Sequence, residues 1–205
     1  MSAIAVPVHR PVLADALAPH RTRVQDAGLV LAGAGVVALL AQLTIPLPLV
    51  PITGQTLGVI LVGAALGSRR GAAALLTYLL VGLAGAPVFA EFTGGPASIL
   101  SPSFGFLLGF IPAAFVAGWF AERAWDRTPL LALAGFVAAS VVPFLFGVPY
   151  LAMILNAVMG AELGLGGILA AGVWPFLVGG LVKAAIAAVL IPVAWKAVRA
   201  LDQRR

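Results

Sequence analysis

One ionisable side chain lies in the middle of a long apolar segment. Lys183 falls within residues 174–192, and every other residue of that segment is uncharged. A lysine at the centre of a membrane helix costs about 2.5–3.5 kcal/mol on insertion scales, so it is expected to have a partner. The chemistry that it offers is the binding of an anion by an ammonium group in surroundings of low dielectric constant.

Three explanations of Lys183 stay open at this point. Trp195, near the end of the segment, is about twelve residues or roughly 18 Å away along a helix, too far for the lysine amine to reach the membrane surface comfortably. The amine could meet an anionic ligand, pair with Glu91 or Glu162 from a loop, or lose its proton. We favour the ligand, because the other apolar segments contain no Asp or Glu at depth.

Two irregular stretches supply the other candidate site residues. Residues 48–71 and 82–110 are apolar but rich in glycine and proline, and irregular backbone in a membrane must be buried in protein or line a cavity. Their small hydrogen-bonding side chains are Thr53, Gln55, Thr56, Thr93, Ser98, Ser101 and Ser103. Their aromatic side chains are Phe89, Phe92, Phe104 and Phe106. An apolar pocket with a few convergent polar groups is typical of a small-molecule site; two well-packed turns that cap the bundle are the alternative.

The composition indicates the kind of protein that positions these residues. Of 205 residues, 62% are hydrophobic and 9% are charged, whereas a soluble domain carries about 25% charged residues. We therefore predict an all-α integral membrane protein. The chain has no cysteine, and its two histidines, His9 and His20, precede the apolar segments, so neither a metal site nor a catalytic group is predicted. A membrane enzyme would need a nucleophile or an acid–base pair at depth, which these segments do not offer.

Six apolar segments approach the roughly 20 residues that a membrane-spanning helix requires. They are residues 27–43, 45–66, 71–86, 104–121, 130–158 and 168–195. Three prolines break the second segment early, which predicts an irregular lead followed by a short helix from about Thr53. The fifth segment is long and contains Pro143 and Pro149, which predict a kink.

The charge distribution orients these segments. If the N-terminus lies in the cytoplasm, eleven of the twelve Lys and Arg residues fall on the cytoplasmic side, and the outer loops carry only Glu91 and Glu162. This predicts six transmembrane helices with both termini cytoplasmic. Residues 1–26 are expected to form a solvated cytoplasmic tail, residues 27–198 the membrane domain, and residues 199–205 a basic tail. The net charge of +5 thus reflects topology and does not indicate binding to nucleic acid.

The irregular stretches also carry a family resemblance. The run Val-Pro-Ile-Thr-Gly-Gln-Thr-Leu-Gly-Val at residues 50–59 resembles the first signature of the BioY family, the biotin-binding membrane subunits of energy-coupling-factor (ECF) vitamin transporters. Residues 82–89 and 101–110 resemble the second and third signatures. Residues 147–151 and 176–183 fit the fifth and sixth helices of the family. The resemblance runs from about residue 25 to the end of the chain.

The resemblance implies a function and partners. It implies an ECF S-component-like bundle in a bacterial or archaeal inner membrane that captures biotin in an outward-facing pocket with high affinity. An ECF transmembrane coupling subunit and two cytoplasmic ATPases would drive delivery, with docking through Ala34 and Ala38 of the first helix. The chain has no GxxxxGK[ST] phosphate loop, so ATP hydrolysis is expected in the partners, and no cofactor is expected. The resemblance also adds Tyr150 of the fifth helix to the ligand site and implies that Lys183 contacts biotin.

The sequence departs from the family pattern at three positions. Gly180 stands where the sixth helix of the family usually has an aspartate that accompanies the lysine. Thr93 stands where an asparagine often precedes two glycines, and Leu107 where some members have a basic residue. The missing aspartate leaves open the alternative that the same scaffold binds another small anionic vitamin or a biotin precursor.

Overall fold

The computed structural model describes residues 11–17 and 21–202. Its helices are α1 Leu13–Leu17, α2 Arg23–Ala41, α3 Gln55–Leu66, α4 Ser68–Leu83, α5 Phe104–Ala121, α6 Pro129–Met153, α7 Leu165–Gly172 and α8 Trp174–Asp202. A short antiparallel ribbon pairs β1, Thr44–Ile45, with β2, Ile52–Thr53. Single helical turns at Ala90–Phe92, Pro96–Leu100, Trp125–Arg127 and Ile154–Val158 complete the secondary structure of this part of the chain.

The prediction of a mostly helical membrane protein is confirmed. In the described part of the chain, four helical stretches are long and apolar enough to cross a membrane: Arg23–Ala41, Phe104–Ala121, Pro129–Val158 and Leu165–Ala200. The short α3 after an irregular lead also agrees with the sequence. Its twelve residues rise only about 18 Å, less than the roughly 30 Å of a hydrocarbon core. The number of helices that cross the membrane therefore stays a prediction.

Two long segments differ in detail from the sequence expectations. Residues 168–195 were expected to be one helix, but Val173, with φ −127° and ψ −62°, separates α7 from α8. In the fifth segment, α6 continues through Pro143 and Pro149, and its hydrogen-bonding pattern changes only at the π-type turn Ile154–Val158. A proline removes one backbone donor but does not end a helix that its neighbours hold in place.

The prediction of a solvated N-terminal tail does not hold for residues 12–14, which are buried. Val12 and Leu13 are buried and pack in the same core cluster as Ile191 and Trp195 of α8. A hydrogen bond of 3.0 Å from Arg127 to the Pro11 carbonyl also ties down this segment. Val12, Leu13 and Ala14 form a short apolar run that is buried against the ends of the longer helices. Residues 23–26 and 199–202 of the predicted tails belong to the helices α2 and α8. Residues 1–10, 18–20 and 203–205 lie outside the described residues, and so do His9 and His20.

Charged side chains gather at one end of the bundle, which we call the charged end. Arg70, at the start of α4, donates to Asp15 at 2.6 Å and to Asp26 at 2.9 Å. Glu122, which follows α5, accepts hydrogen bonds of 2.7 Å from the backbone N–H and the hydroxyl of Ser68. These contacts join the starts of α2 and α4 to the end of α5. Because α2 and α4 begin at the charged end, they end at the opposite end of the bundle. The segments that follow them, residues 42–54 and 84–103, therefore lie at that opposite end.

Small residues allow α3 to pass through the centre of the bundle, where it contacts α2, α4, α5 and α8. A Cβ atom on Gly63 would lie 2.4 Å from the carbonyl oxygen of Ala114 in α5. Likewise, a Cβ atom on Gly118 would lie 2.3 Å from the backbone nitrogen of Ser68. Real Cβ atoms do not approach other atoms so closely, so these helices can be this near only with glycine at both positions. The close packing holds the N-terminal end of α3 beneath the segments that join α2 to α3 and α4 to α5.

Candidate ligand-binding site

A cavity of about 390 Å³ lies at the end of the bundle opposite the charged end. Its volume is within the range of about 300–1,000 Å³ that is usual for small-molecule sites. Its walls come from the lead into α3, the loop between α4 and α5, the start of α5, and α8. The lining residues are Val50, Pro51, Thr53, Gln55, Thr56, Phe89, Ala90, Thr93, Gly94, Ala97, Ser98, Ser101, Ser103, Phe106, Leu107, Phe176 and Lys183.

The structure brings together six of the eight predicted ligand-site residues. Those that line the cavity are Thr53, Gln55, Phe89, Thr93, Phe106 and Lys183. Phe104 and Tyr150, which were also predicted to contact ligand, do not line it. Phe104 packs against the Tyr150 ring at a centroid distance of 5.8 Å, and the Tyr150 hydroxyl donates to the Ile99 carbonyl. Residues 104 and 106 are two steps apart on α5, so they point to nearly opposite sides of that helix.

Lys183 is held at the cavity wall by oxygen atoms of uncharged groups. Its Nζ donates to the Thr53 carbonyl at 2.5 Å and to Thr56 Oγ1 at 3.0 Å. Within residues 11–17 and 21–202, no carboxylate forms a salt bridge with it, so the pairing with Glu91 or Glu162 considered above is not seen. An ammonium group has three N–H donors, and two are used. The third is available to a ligand.

Gln55 fixes the polar wall beside Lys183. It is 5% exposed, its Oε1 accepts from Thr53 Oγ1 at 2.7 Å, and its Nε2 donates to the Tyr78 hydroxyl at 2.6 Å. A hydrogen-bonded chain thus runs from Lys183 through Thr53 and Gln55 to Tyr78. Sequence reasoning missed Tyr78, although a tyrosine inside an apolar helix is itself a signal, because its buried hydroxyl needs a partner.

The loop between α4 and α5, residues 84–103, covers the cavity and is tied to the end of α2. Gln42 Nε2 donates to the Phe89 carbonyl at 3.1 Å, and Gln42 Oε1 accepts from the Phe92 N–H at 2.9 Å. The Phe89 ring fills the space over Gly82, where a Cβ atom would lie 2.2 Å from it. Thr93 closes the first turn of the loop by donating to the Ala90 carbonyl at 2.8 Å. Sequence reasoning missed Gln42, the amide that directly follows α2.

The remaining wall residues divide into expected and unexpected ones. Thr56, Ser98, Ser101 and Ser103 were singled out as polar groups of the irregular stretches, and all four line the cavity. Phe176, at the start of α8, was not expected. Its ring lies 6.2 Å from that of Phe106, so the two rings form one apolar wall. In the described residues, no cluster of three or more His, Asp or Glu side chains could hold a metal ion.

The proposed partner-interface pair on α2 does not face outward. Ala34 is 8% exposed and packs in the core cluster with Val62 and Ala74, and the partly buried Ala38 packs against the same cluster. The small residues on the exposed side of α2 include Ala32 and Gly35. Since α2 has small residues on several faces, the alanine spacing alone does not identify the face that points outward. The packing of α2 determines which of its small residues face outward, and docking through Ala34 and Ala38 stays a prediction.

The model of one protein family, described as the BioY family, matches residues 14–200. The chain belongs to the BioY family. That membership confirms the resemblance seen in the sequence, and it covers all but the two ends of the chain.

Relatives of this BioY-family chain carry transporter names. The biotin transporter BioY of Rhizobium etli is 38% identical over 149 residues, which are 69% of this chain and 75% of the relative. The probable biotin transporter BioY of Pyrococcus horikoshii is 33% identical over 150 residues, or 73% of this chain and 83% of the relative. These names agree with the expectation that the BioY-family chain is a transport protein and not an enzyme.

A solved structure supports the fold. The crystal structure of the S-component for biotin from an ECF-type ABC transporter matches with a TM-score of 0.66 at 24% identity. The match covers 86% of this chain and 95% of that one. The predicted S-component-like bundle is therefore confirmed for this BioY-family chain at the level of the fold.

Proposed function

We propose that the chain is the membrane-embedded biotin-binding subunit of an ECF-type uptake system. The observation that carries the proposal is Lys183, an ammonium group at the wall of a 390 Å³ cavity with no carboxylate partner among the described residues. Biotin has a carboxylate at the end of an aliphatic chain and an uncharged ring system at the other end. Relatives over most of the chain are named biotin transporters.

In the proposed complex, Lys183 is the counter-ion of the ligand carboxylate. Charge-assisted hydrogen bonds of this kind are about twice as strong as neutral ones, and the apolar walls strengthen them further. Thr53, Gln55 and Thr93 supply polar contacts to the uncharged ring system, and Phe89 and Phe106 supply apolar contacts. Phe104 and Tyr150 support the wall from behind and do not contact ligand.

The proposed topology is six membrane-spanning helices with both termini in the cytoplasm and the cavity facing outward. It is supported by the position of the basic residues, because Arg70, Arg123 and Arg127 lie at the charged end, opposite the cavity. The protein would then be a multi-pass component of a bacterial or archaeal inner membrane. Lys196 and Arg199, late in α8, follow the same pattern.

In the proposed cycle, the segment between α2 and α3, residues 42–54, and the loop at residues 84–103 close over biotin, and an ECF module releases it inward. The module would comprise a transmembrane coupling subunit and two cytoplasmic ATPases, which supply the energy of ATP hydrolysis. The loop at residues 84–103 is suited to this gating role because Gln42 ties it to α2 through only a few hydrogen bonds. Movement of the whole subunit would carry the ligand inward, since a packed core lies between the cavity and the charged end.

A second candidate function is the binding of another small anionic vitamin or a biotin precursor. Gly180 favours it, because the family aspartate that accompanies the lysine is missing here. This candidate retains the role of Lys183 and changes only the groups that recognise the ring system.

Equilibrium binding of labelled biotin to the purified protein in nanodiscs tests the proposal. Wild type is expected to bind one biotin per chain, and Lys183→Ala at least about 30-fold more weakly, since removal of one partner of a buried charge pair costs about 2–5 kcal/mol. Lys196→Ala, on the exposed side of the same helix, is the matched control and is expected to leave binding unchanged. Equal affinity of wild type and Lys183→Ala would contradict the assignment. A competition panel that prefers another acid over biotin would select the second candidate.

A further inference from the structure

The two irregular segments at the cavity end, residues 42–54 and 84–103, have an apolar outer surface. The large apolar side chains that they expose are Leu43, Ile45, Leu47, Phe92, Ile99 and Leu100. The two segments together contain one charged residue, Glu91, whereas about a quarter of the residues in a soluble domain are charged. Their surface therefore does not have the composition of loops that face water.

The lengths of the adjoining helices set the depth of this surface in a membrane. The first turn of α4 carries Arg69 and Arg70 at the charged end, and the 16 residues of α4 rise about 24 Å. The 18 residues of α5 rise about 27 Å and lead back to Glu122 and Arg123 at the same end. These charged side chains lie at or beyond the near boundary of a hydrocarbon core that is about 30 Å thick. The loop at residues 84–103 therefore lies no farther out than the opposite boundary of that core, and any tilt of the helices brings it deeper.

A strained turn in this loop points Phe92 away from the protein. Phe89 is 3% exposed and Phe92 is 71% exposed, although they are only three residues apart. Between them the backbone is left-handed, with φ 57° at Glu91 and φ 55° at Phe92, which is unfavourable for residues that have a Cβ atom. Two bonds hold the turn: the Phe92 N–H donates to Gln42 Oε1 at 2.9 Å, and the Phe89 N–H donates to the Thr93 carbonyl at 3.0 Å. In water an outward ring would offset none of this strain, whereas lipid would remove the ring from water.

The exposed ring continues the lipid-facing side of α2. This helix is one of the stretches that are long and apolar enough to cross a membrane, and most of its residues are exposed or only partly buried. The bond to Gln42 places Phe92 beside the last turn of α2, where Leu39 and Leu43 are exposed. Trp174, at the same end of the bundle, is exposed as well, and aromatic side chains are enriched where a membrane meets water. The same phospholipids that surround α2 can therefore cover Phe92.

We propose that phospholipids cover this surface and that Phe92 anchors the loop at residues 84–103 in the membrane leaflet at the cavity end. The ring lies among the glycerol groups and the upper parts of the acyl chains. When the loop lifts to open the cavity, the ring must leave the lipid, so the anchor opposes opening. This gating role rests on the proposed function, whereas the contact with lipid does not depend on the ligand.

A depth measurement in nanodiscs tests the lipid contact. The chain has no cysteine, so Phe92→Cys and Leu31→Cys can each carry a single bimane label. Leu31 is the control, because it is exposed in the middle of α2. Phospholipids with a nitroxide near the headgroup are expected to quench the label at position 92 about twofold more strongly than those with a nitroxide near the chain end, and the label at position 31 is expected to show the opposite preference.

Two results would overturn the lipid contact. In the first, iodide in the water quenches the label at position 92 and neither phospholipid does, which would place the ring in water. In the second, none of the quenchers reaches the label, which would mean that a second copy of the chain covers it.

Release of bound biotin from unlabelled protein in nanodiscs tests the gating role. Phe92→Ser removes the anchor and is expected to speed release about five- to tenfold, whereas Phe92→Leu keeps an apolar side chain and is expected to stay within about twofold of wild type. Leu165→Ser is the matched control, because Leu165 is an exposed leucine outside both segments, and it is expected to leave release unchanged. Equal rates in Phe92→Ser and wild type would show that the ring does not hold the loop.

The two measurements separate this inference from the proposed function. If wild type does not bind biotin, the proposed function is wrong, and the quenching by phospholipids still decides the lipid contact. If wild type binds biotin and the label at position 92 is quenched only from the water, the anchor is wrong although the biotin site stands.

Discussion

Asp126, at the charged end, offers a prediction about pH and stability. Its side chain is 1% exposed, in the turn Trp125–Arg127 between α5 and α6, and its Oδ2 accepts from Trp195 Nε1 at 2.5 Å. Burial raises the pKa of Asp126 to about 6, against the hydrogen bond from Trp195 and the positive charges of Arg127 and Arg199. The ionised form is therefore less stable in the folded protein than in water.

The sign and the size of the effect follow from this shift. The pKa is higher in the folded state than the ordinary 3.8, so the folded state holds the proton more tightly. The stability that protonated Asp126 contributes to the folded state is fully present below about pH 3.8 and is lost as the pH rises through 6. A difference of about two pKa units corresponds to roughly 3 kcal/mol, as an order of magnitude. In the variant Asp126→Asn the side-chain amide cannot ionise, and its carbonyl oxygen can still accept from Trp195.

The assay is denaturant unfolding of wild type and Asp126→Asn in detergent, followed by far-UV circular dichroism at pH 4 and pH 7.5. The stability of the variant relative to wild type is expected to rise by about 3 kcal/mol from pH 4 to pH 7.5. Asp15→Asn is the control with the opposite sign. Burial opposes ionisation of Asp15, but its bonds to Arg70 outweigh burial and lower its pKa, so that variant loses stability at the higher pH. A constant, pH-independent loss in Asp126→Asn would refute the reasoning.

Two further predictions concern the walls of the site. Tyr78→Phe is expected to lower the free energy of unfolding by about 1–3 kcal/mol, because it leaves the buried Gln55 amide without its acceptor. Denaturant unfolding measures this change, with Tyr78→Leu as a cavity-forming comparison. An unchanged unfolding midpoint in Tyr78→Phe would show that the hydrogen bond contributes nothing. Gln42→Leu is expected to speed the release of bound biotin about tenfold. The loop at residues 84–103 loses two hydrogen bonds in this variant, one that Gln42 donates to the Phe89 carbonyl and one that it accepts from the Phe92 N–H. Stopped-flow dissociation measures the release, and an unaltered rate in Gln42→Leu would mean that the loop is held by its other contacts.

The helices and the position of the site followed from local features of the sequence. An apolar run of about 20 residues has few alternatives to a helix in a membrane. Most helix positions expected from the sequence therefore agree with the structure. Lys183 could be assigned to the site for a related reason, because a single charge in such a run has a high energetic cost and needs a partner. The irregular stretches were equally informative, since irregular backbone at that depth must line or fill a space.

Features that depend on packing could not be predicted in this way. Phe104 and Phe106 are the same residue type in the same helix, and only the rotation of α5 about its axis decides which ring faces the cavity. The same holds for Ala34, whose burial depends on which side of α2 meets α3 and α4. Val12 and Leu13 were expected in solvent, because their burial depends on packing against α8, far away in the sequence.

The alanine-rich core beneath the cavity also affects whether ions can pass through the bundle. Ala64, Ala117, Ala184 and Ala187 are fully buried, together with Ile60, in the layer between Lys183 and the charged end. Small side chains let the helix backbones pack closely, and an ion crosses a closely packed apolar layer only at great cost. A subunit with the proposed uptake function must not let ions leak across the membrane. This layer allows the same small bundle to hold an open cavity at one end and to insulate at the other.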